Sequence, residues 1–317
     1  MIMTAVILIN WNGAADTIDC LESLDRAEGE FFVVVADNGS TDNSVEVLAP
    51  LCENLKNHPI HLLKLDKNYG FAGGNNRAVK FAMKYNPESI MLLNNDTVVD
   101  SQFLLRLLDF SQKNVEYRVL SPCINYYYDK SLVWSCGGRL IFGSRKSYYR
   151  DVKYSDICNN AFLNISFVSG CALFCFPEIL QNDGSLFTER FFFGEEDYEF
   201  SLRMREKKVK MACVTDSVIY HKVASSQKNT NDTYNIGRYY MYYLGRLISA
   251  RLHFHNLQFQ LIRVLTVLSS VSYFYRLSGS LKKAISIEKR LMKVSLVKDS
   301  IGYEEFQSLM IDKNYFE

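Results

Sequence analysis

Thr4–Gly13 reads TAVILINWNG and Phe31–Asp42 reads FFVVVADNGSTD. Each begins as a short, β-branched, continuously apolar run, the pattern of a strand buried on both faces. Each ends abruptly in Asn, Asp, Gly and Ser, which suit a turn rather than a continuing strand. Working outward, strands over 4–9, 31–36, 60–65 and 89–93 alternate with helical stretches over about 15–26, 43–55, 75–85 and 102–112. That alternation predicts βαβ units, hence an α/β protein with a mostly parallel sheet flanked by helices. In such sheets ligands bind beyond the carboxyl ends of the strands.

Those ends share one chemistry. They carry Asn10-Trp11-Asn12-Gly13, then Asp37 to Asp42, then DKNYGFAGGNN over 66–76, then Asn94-Asn95-Asp96. Turn formation explains any one of them, and Asp42 would make an ordinary helix N-cap. It does not explain all four, which together outline a polar cleft. The glycines of Gly70–Asn75 fit neither G-x-G-x-x-G nor the P-loop pattern, which disfavours a dinucleotide-dependent dehydrogenase and a P-loop NTPase. Glycines opening a helix still let backbone N–H groups approach a phosphate.

Further along, 121–165 is rich in Tyr and Gly and lacks helical period, so it reads as irregular strands or an insertion over the cleft. Residues 165–176 read as strand broken at Gly170, followed by a helix over about 195–207 and a strand from Val209. Glu195, Glu196, Asp197 and Glu199 crowd the first turn of that helix, directly behind Phe191–Phe193. Acidic residues suit a helix N-terminus. Beside a hydrophobic wall, one of them is also placed to act as a general base.

The 317 residues are 48% hydrophobic and 22% charged, which excludes a disordered chain. A net charge of +1 gives no sign of nucleic-acid binding. The charge is unevenly spread: residues 231–317 hold 12 basic and 7 acidic residues, so residues 1–230 hold the remaining 24 and 28. The eight cysteines are scattered and read as reduced cytosolic thiols. The N-terminus lacks the form of a signal peptide. The apolar run Val264–Tyr275, bounded by Arg263 and Arg276, falls short of the roughly 20 residues of a bilayer span, so no transmembrane helix is expected.

NWNG, DNGSTD, NYGFAGGNN, LLNNDT and FFFGEEDYEFSLRMR, in this order over residues 10–205, resemble the family 2 glycosyltransferases, particularly bacterial rhamnosyltransferase-like members that build surface polysaccharides. The resemblance implies a GT-A fold over residues 1–225, with a nucleotide-sugar half over about 1–100 and an acceptor half over about 101–225. It implies inverting transfer from a nucleoside-diphosphate sugar, UDP- or dTDP-linked, to a hydroxyl of a saccharide or lipid-linked saccharide. Asp37 would then hydrogen-bond the nucleobase or ribose, with Asn12, Asn68, Gly70, Phe71, Gly73, Asn75, Asn76 and Asn95 around the nucleotide. Asp96 stands where the family has the last residue of Asp-x-Asp, which holds Mg²⁺ or Mn²⁺ on the diphosphate; Asn94 replaces the first carboxylate. Asp197, in the Glu196-Asp197 pair, corresponds to the general base. His221 lies where some members contact the metal or diphosphate, and is otherwise a strand-end histidine.

Two other classes compete. A nucleotide-sugar-binding relative without catalysis would be expected to lack the acid at 197, and a nucleotidyltransferase would carry a Gly/Arg/Lys-rich loop in place of NWNG. The region 226–317 reads as a basic, amphipathic helical appendage. Leu261, Val264, Leu265, Leu268, Val271 and Phe274 recur at helical spacing there. That stripe either packs on the catalytic domain or a second subunit, as in a homodimer, or lies on the inner face of the plasma membrane.

Overall fold

The computed structural model describes residues 3–223, 232–312 and 316. The first half runs β1 (Thr4–Asn10), α1 (Ala14–Asp25), β2 (Phe31–Asp37), α2 (Ser44–Asn54), β3 (Ile60–Lys64), α3 (Gly70–Ala82) and β4 (Ser89–Asn94). Strands β3, β2, β1 and β4 pair in parallel in that order. Residues alternate between the two faces of these strands. Val6, Leu8, Val33 and Val35 join one core with helices α1 and α2, while Ala5, Ile7, Phe32 and Val34 join another with α3. Being buried on both sides is why these strands are continuously apolar rather than alternating.

The chain continues through β5 (Thr97–Val99), α4 (Phe103–Lys113), β6 (Tyr117–Tyr126), β7 (Val133–Ser135), β8 (Gly138–Ile141), β9 (Ser144–Ser147), β10 (Phe162–Ile165), β11 (Ala172–Cys175), α5 (Glu196–Glu206) and β12 (Lys210–His221). The expected parallel strands form one half of the sheet, and the rest of it is mixed. Strand β11 enters between β4 and β6 antiparallel to both, and β10, β5 and β7 are also antiparallel additions. The β6–β12 pair returns to parallel. Residues 121–126, read as the start of an irregular insertion, belong to β6, a strand buried in mid-sheet. Its Ser, Pro, Cys and Asn obscured it. The insertion that follows contains the separate hairpin β8–β9.

Helix α3 starts at Gly70 rather than near Asn75, so the Gly-rich segment is helix and not a loop. Gly70 has φ +74°, and a Cβ there would sit 1.9 Å from the Phe192 carbonyl oxygen, to which the Phe71 N–H donates at 3.0 Å. Only glycine fits this combination of backbone angle and approach. The approach is to the protein's own chain and not to a phosphate.

The C-terminal helices are α6 (Asp232–His253), α7 (Asn256–Ser278), α8 (Leu281–Val297) and α9 (Tyr303–Ile311). The boundary expected at 225/226 lies outside the described residues. These helices share a third core built on Tyr240, Leu244, Leu247, Phe259, Phe274, Ile287 and Leu291, which also takes in Phe191. Phe191 bridges to Ile301, and the Phe192 N–H donates to the Ile301 carbonyl at 2.8 Å. The segment before the acidic helix start is thereby tied to the C-terminal region. The 12-residue apolar run lies inside α7, whose 23 residues are long and apolar enough to cross a membrane, with 28% of the most apolar window buried. The sequence reading had taken Arg263 as the polar end of the run, but that side chain is buried.

Candidate active site

Parallel register brings the strand ends level. Asn10 pairs with Asp37, Asp37 with Lys64, and Ile9 with Asn94. Asn10 is fully buried and sits at the centre of a polar network. Its Nδ2 donates to Asp37 Oδ1 at 2.8 Å, and its Oδ1 accepts from Thr17 Oγ1 at 2.8 Å. Asn95 Nδ2 donates to that threonine at 2.9 Å. Asp37 also accepts from the Ser40 hydroxyl at 2.6 Å and the Ser40 N–H at 3.0 Å. Asn12, exposed with φ 51°, takes the Thr41 N–H on its Oδ1 at 2.8 Å. Asn38 ties the next turn, donating to Asn68 Oδ1 and the Gly70 carbonyl, each at 3.0 Å. Asn10 was quoted in the first strand-end motif but not singled out, and it organises the rest.

A cleft of about 610 Å³ opens beside these ends. Phe71, Asn94, Glu196, Asp197 and His221 line it, joined by Trp134, Arg145, Arg150, Gly170, Arg238 and Tyr242. Of the residues expected around the nucleotide, only Phe71 is in the lining. Asn12, Asp37, Asn68 and Asn95 make the network at the strand ends. Gly70 and Gly73 pack α3 against the 189–192 segment. Asn75 donates back to the Phe71 carbonyl at 2.9 Å. Asn76 clamps a later stretch of chain: its Oδ1 accepts from the Leu186 and Phe187 N–H groups, and its Nδ2 donates to the Phe187 carbonyl.

The three acidic residues at the start of α5 separate by environment. Glu195 has φ 67°, and its side chain is 2% exposed. Arg145 from β9 meets its carboxylate at 2.8 and 2.9 Å, and Arg246 from α6 at 3.1 Å. Glu195 is thus a clamp among the hairpin, the helix start and the C-terminal region. Glu196 is buried, and burial, followed by the adjacent Asp197 carboxylate, pushes it up to about 8. Burial thus favours the protonated form of Glu196, and Asp197 is the more accessible of the two carboxyls. Asp197 is 19% exposed on its side chain and faces the cleft. The Gly170 N–H lies 3.4 Å from its Oδ2, and the Arg145 guanidinium 3.9 Å from its Oδ1. A Cβ on Gly170 would meet the Phe71 ring at 3.2 Å, so the break in the strand makes room where that ring and Asp197 converge.

His221 ends β12, opposite Thr97 of β5, and its Nε2 is 3.1 Å from Asp96 Oδ1. Trp134 stacks edge-on at 4.6 Å. Burial opposes charge on this ring, but the Cys171 thiol and the Asp96 carboxylate outweigh it and hold it up at about 10. Its Nδ1 is buried without a hydrogen-bond partner, the Cys171 thiol lying near the ring but outside good geometry. Among the described residues no group of three or more His, Cys, Asp or Glu is arranged to hold a metal ion. Asp96 offers an oxygen ligand, and His221 would join it as a nitrogen ligand only on losing the proton that pairs it with Asp96, so a divalent cation here would take most of its ligands from a substrate.

Arg145, Trp134, Arg150, Arg238 and Tyr242 went unnoticed in the sequence. Trp134 lies in β7, Arg145 in β9, Arg150 in the turn after it, and Arg238 and Tyr242 in α6, with no local motif, and only the folded chain brings them to the cleft.

The mixed α/β architecture, with four polar strand ends beside a cleft and helices on both faces, is the GT-A type. The description of Glycosyl transferase family 2 matches residues 5–182, and the chain belongs to that family. The low-salt glycan biosynthesis hexosyltransferase Agl10 of Haloferax volcanii is 29% identical over 121 residues, 38% of this chain and 36% of that protein. The chain thus aligns with about a third of that relative's length. Among solved structures, S. aureus TarS 1–349 superposes with TM-score 0.59 at 14% identity, covering 99% of this chain and 92% of that one. The mannosyltransferase PcManGT from Pyrobaculum calidifontis, in complex with GDP-Man and Mn²⁺, gives 0.57 at 13% identity, with 99% and 84% covered.

Proposed function

We propose that this protein is an inverting glycosyltransferase that moves a sugar from a UDP- or dTDP-linked donor to a hydroxyl of a saccharide or lipid-linked saccharide, in the assembly of a bacterial surface polysaccharide. One observation carries the reading: a single cleft is lined by Asp197, an accessible carboxylate, and by His221, which is paired with Asp96. Inversion at an anomeric carbon needs a base on the acceptor side and neutralisation of charge on the leaving side. Asp197 accepts the proton of the acceptor hydroxyl as its oxygen attacks the anomeric carbon. Its neighbours define the setting: Arg145 places positive charge beside it, the Gly170 N–H fixes its orientation, and Glu196 stays neutral behind it. On the other side, Asp96 and His221 would hold Mg²⁺ or Mn²⁺, which when bound neutralises the departing diphosphate. Structures of related fold in complex with UDP-GlcNAc, or with GDP-Man and Mn²⁺, support a nucleotide sugar and a divalent ion. The rhamnosyltransferase-like character rests on the sequence resemblance.

The test is Asp197→Asn, assayed with a panel of nucleoside-diphosphate sugars. Transfer should fall by about 10²–10⁴-fold, the usual contribution of a positioned base, with donor binding by calorimetry retained. A kcat within a few-fold of wild type would remove Asp197 from this role. Donor binding without transfer by the unsubstituted protein, across acceptors, would favour an inactive nucleotide-sugar-binding relative.

A further inference from the structure

The stripe expected either to pack on the protein or to lie on a membrane does not pack inward. On α7, Leu257, Leu261, Val264, Leu265, Leu268 and Tyr275 are between 46% and 83% exposed. Their spacing of three and four residues places them on one face. Phe274, expected in the same stripe, is instead fully buried on the opposite face with Phe259 and Ile262. The exposed stripe is thus a second apolar face with nothing packed on it. A soluble domain seldom leaves so many large aliphatic side chains together in water.

Charge decides what covers it. Arg276, at the end of α7, and Lys282, Lys289 and Lys293 of α8 are exposed. Leu281, Ile285 and Leu296 of α8 are exposed between them. The only acidic residue on the two helices, Glu288, is buried and takes a hydrogen bond from Ser270 at 2.6 Å. An apolar stripe beside lysines with no exposed acid is complementary to an anionic lipid surface. A two-fold contact between copies would set these like charges on one another.

The inward face argues against α7 crossing a membrane. Arg263 is buried and donates to Ser295 Oγ, Gln260 Oε1 and the Met292 carbonyl. With the Ser270–Glu288 bond, these groups find their partners only while α7 is packed on α8, and a lone spanning helix would leave them in hydrocarbon. Tyr273 of α7 packs at 4.1 Å on Tyr239 of α6, which lines the cleft, so the apolar face and the acceptor side are joined through one pair of helices.

We infer that the outer face of α7 and the adjoining basic edge of α8 form an in-plane docking surface for an anionic membrane. This goes beyond the transferase reading and can fail independently of it. The full-length protein is sedimented with vesicles of phosphatidylcholine alone or with phosphatidylglycerol. Binding should require the anionic lipid and weaken with salt. It should drop by about fivefold for each of Lys282→Ala, Lys289→Ala and Lys293→Ala. It should be lost in Leu261→Glu/Leu268→Glu, an exposed double substitution whose circular dichroism and donor affinity should match wild type. Absence of pelleting at low salt overturns the proposal. So does a dimer by light scattering that Leu268→Glu converts to monomer, which would assign the face to a second copy.

Discussion

The strand ends and the acidic helix start both line up polar groups beside one cleft, but they are held by different means. At the strand ends, Asn10, Thr17, Asp37, Ser40 and Asn95 satisfy one another through bonds of 2.6 to 3.0 Å across neighbouring strands and the helix that joins them. The register of the sheet alone brings them together. At the helix start, Glu195 is fixed by arginines 50 and 51 residues away, on elements that contact one another only in the finished fold. The first region is neutral or singly charged and held within one parallel sheet and its first helix, whereas the second is ionic and held across separate elements. A charge removed from the second should therefore cost more than a hydrogen bond removed from the first.

Glu195→Ala gives the largest expected effect. It leaves two guanidinium groups facing a buried site without their carboxylate, and breaking a buried pair in this way typically costs about 3–5 kcal/mol. Urea unfolding measures it, and a loss below about 1 kcal/mol would show that the clamp does not hold these elements together. Gly70→Ala comes next. A left-handed backbone angle and a Cβ meeting the Phe192 carbonyl combine conformational strain with overpacking, for a loss of about 2–4 kcal/mol. Asn10→Ala should cost about 1–3 kcal/mol, because Asp37 and Thr17 each lose a buried partner. If Asn10→Ala proved more damaging than Glu195→Ala, the contrast between the regions would be reversed.

The smallest effect sharpens the comparison with a buried acid outside both regions. Burial pushes Glu288 up to about 7 from an ordinary 4.5, with the Ser270 hydrogen bond working the other way. The folded chain then keeps a proton that the unfolded chain releases between those values. Stability contributed by this group is present below about 4.5 and is lost as pH rises through 7. Glu288→Gln should raise the melting midpoint by a few degrees at about pH 8 and leave it nearly unchanged at about pH 4.5. A shift of the same size at both would assign the effect to packing.

The first half of the fold was legible because its signals are local. TAVILIN, FFVVVAD and SIMLLN carry their burial on both faces in their own composition, and the polar ends follow each strand directly. The antiparallel entry of β11 was not legible. ALFC is as apolar as a parallel strand, and nothing in four residues states its direction. Asp197 could be singled out from the motif around it. What separates it from Glu195 and Glu196 could not, since Arg145 and Arg246 reach that turn from a short hairpin and a distant helix. Asn76 was read as a nucleotide contact because it follows glycines, and the strand of chain it holds, Leu186–Phe187, lies 110 residues later. The stripe on α7 was correctly read as periodic, but periodicity does not say which of two apolar faces is covered.

The pairing of Phe191 and Phe192 with Ile301 sets a clock on synthesis. The parallel pairing of β1 to β4 can form once β4 has been made, although the free edge of β4 waits for β11. The wall that leads into Asp197 cannot close until residue 301 has followed residue 191 out of the ribosome, 110 residues later. At about 5–20 residues per second, that interval is roughly 5–20 seconds. For that time a nascent chain has its first strands paired but the segment before Asp197 unanchored, and a chain cut short before Ile301 would be arrested in that state.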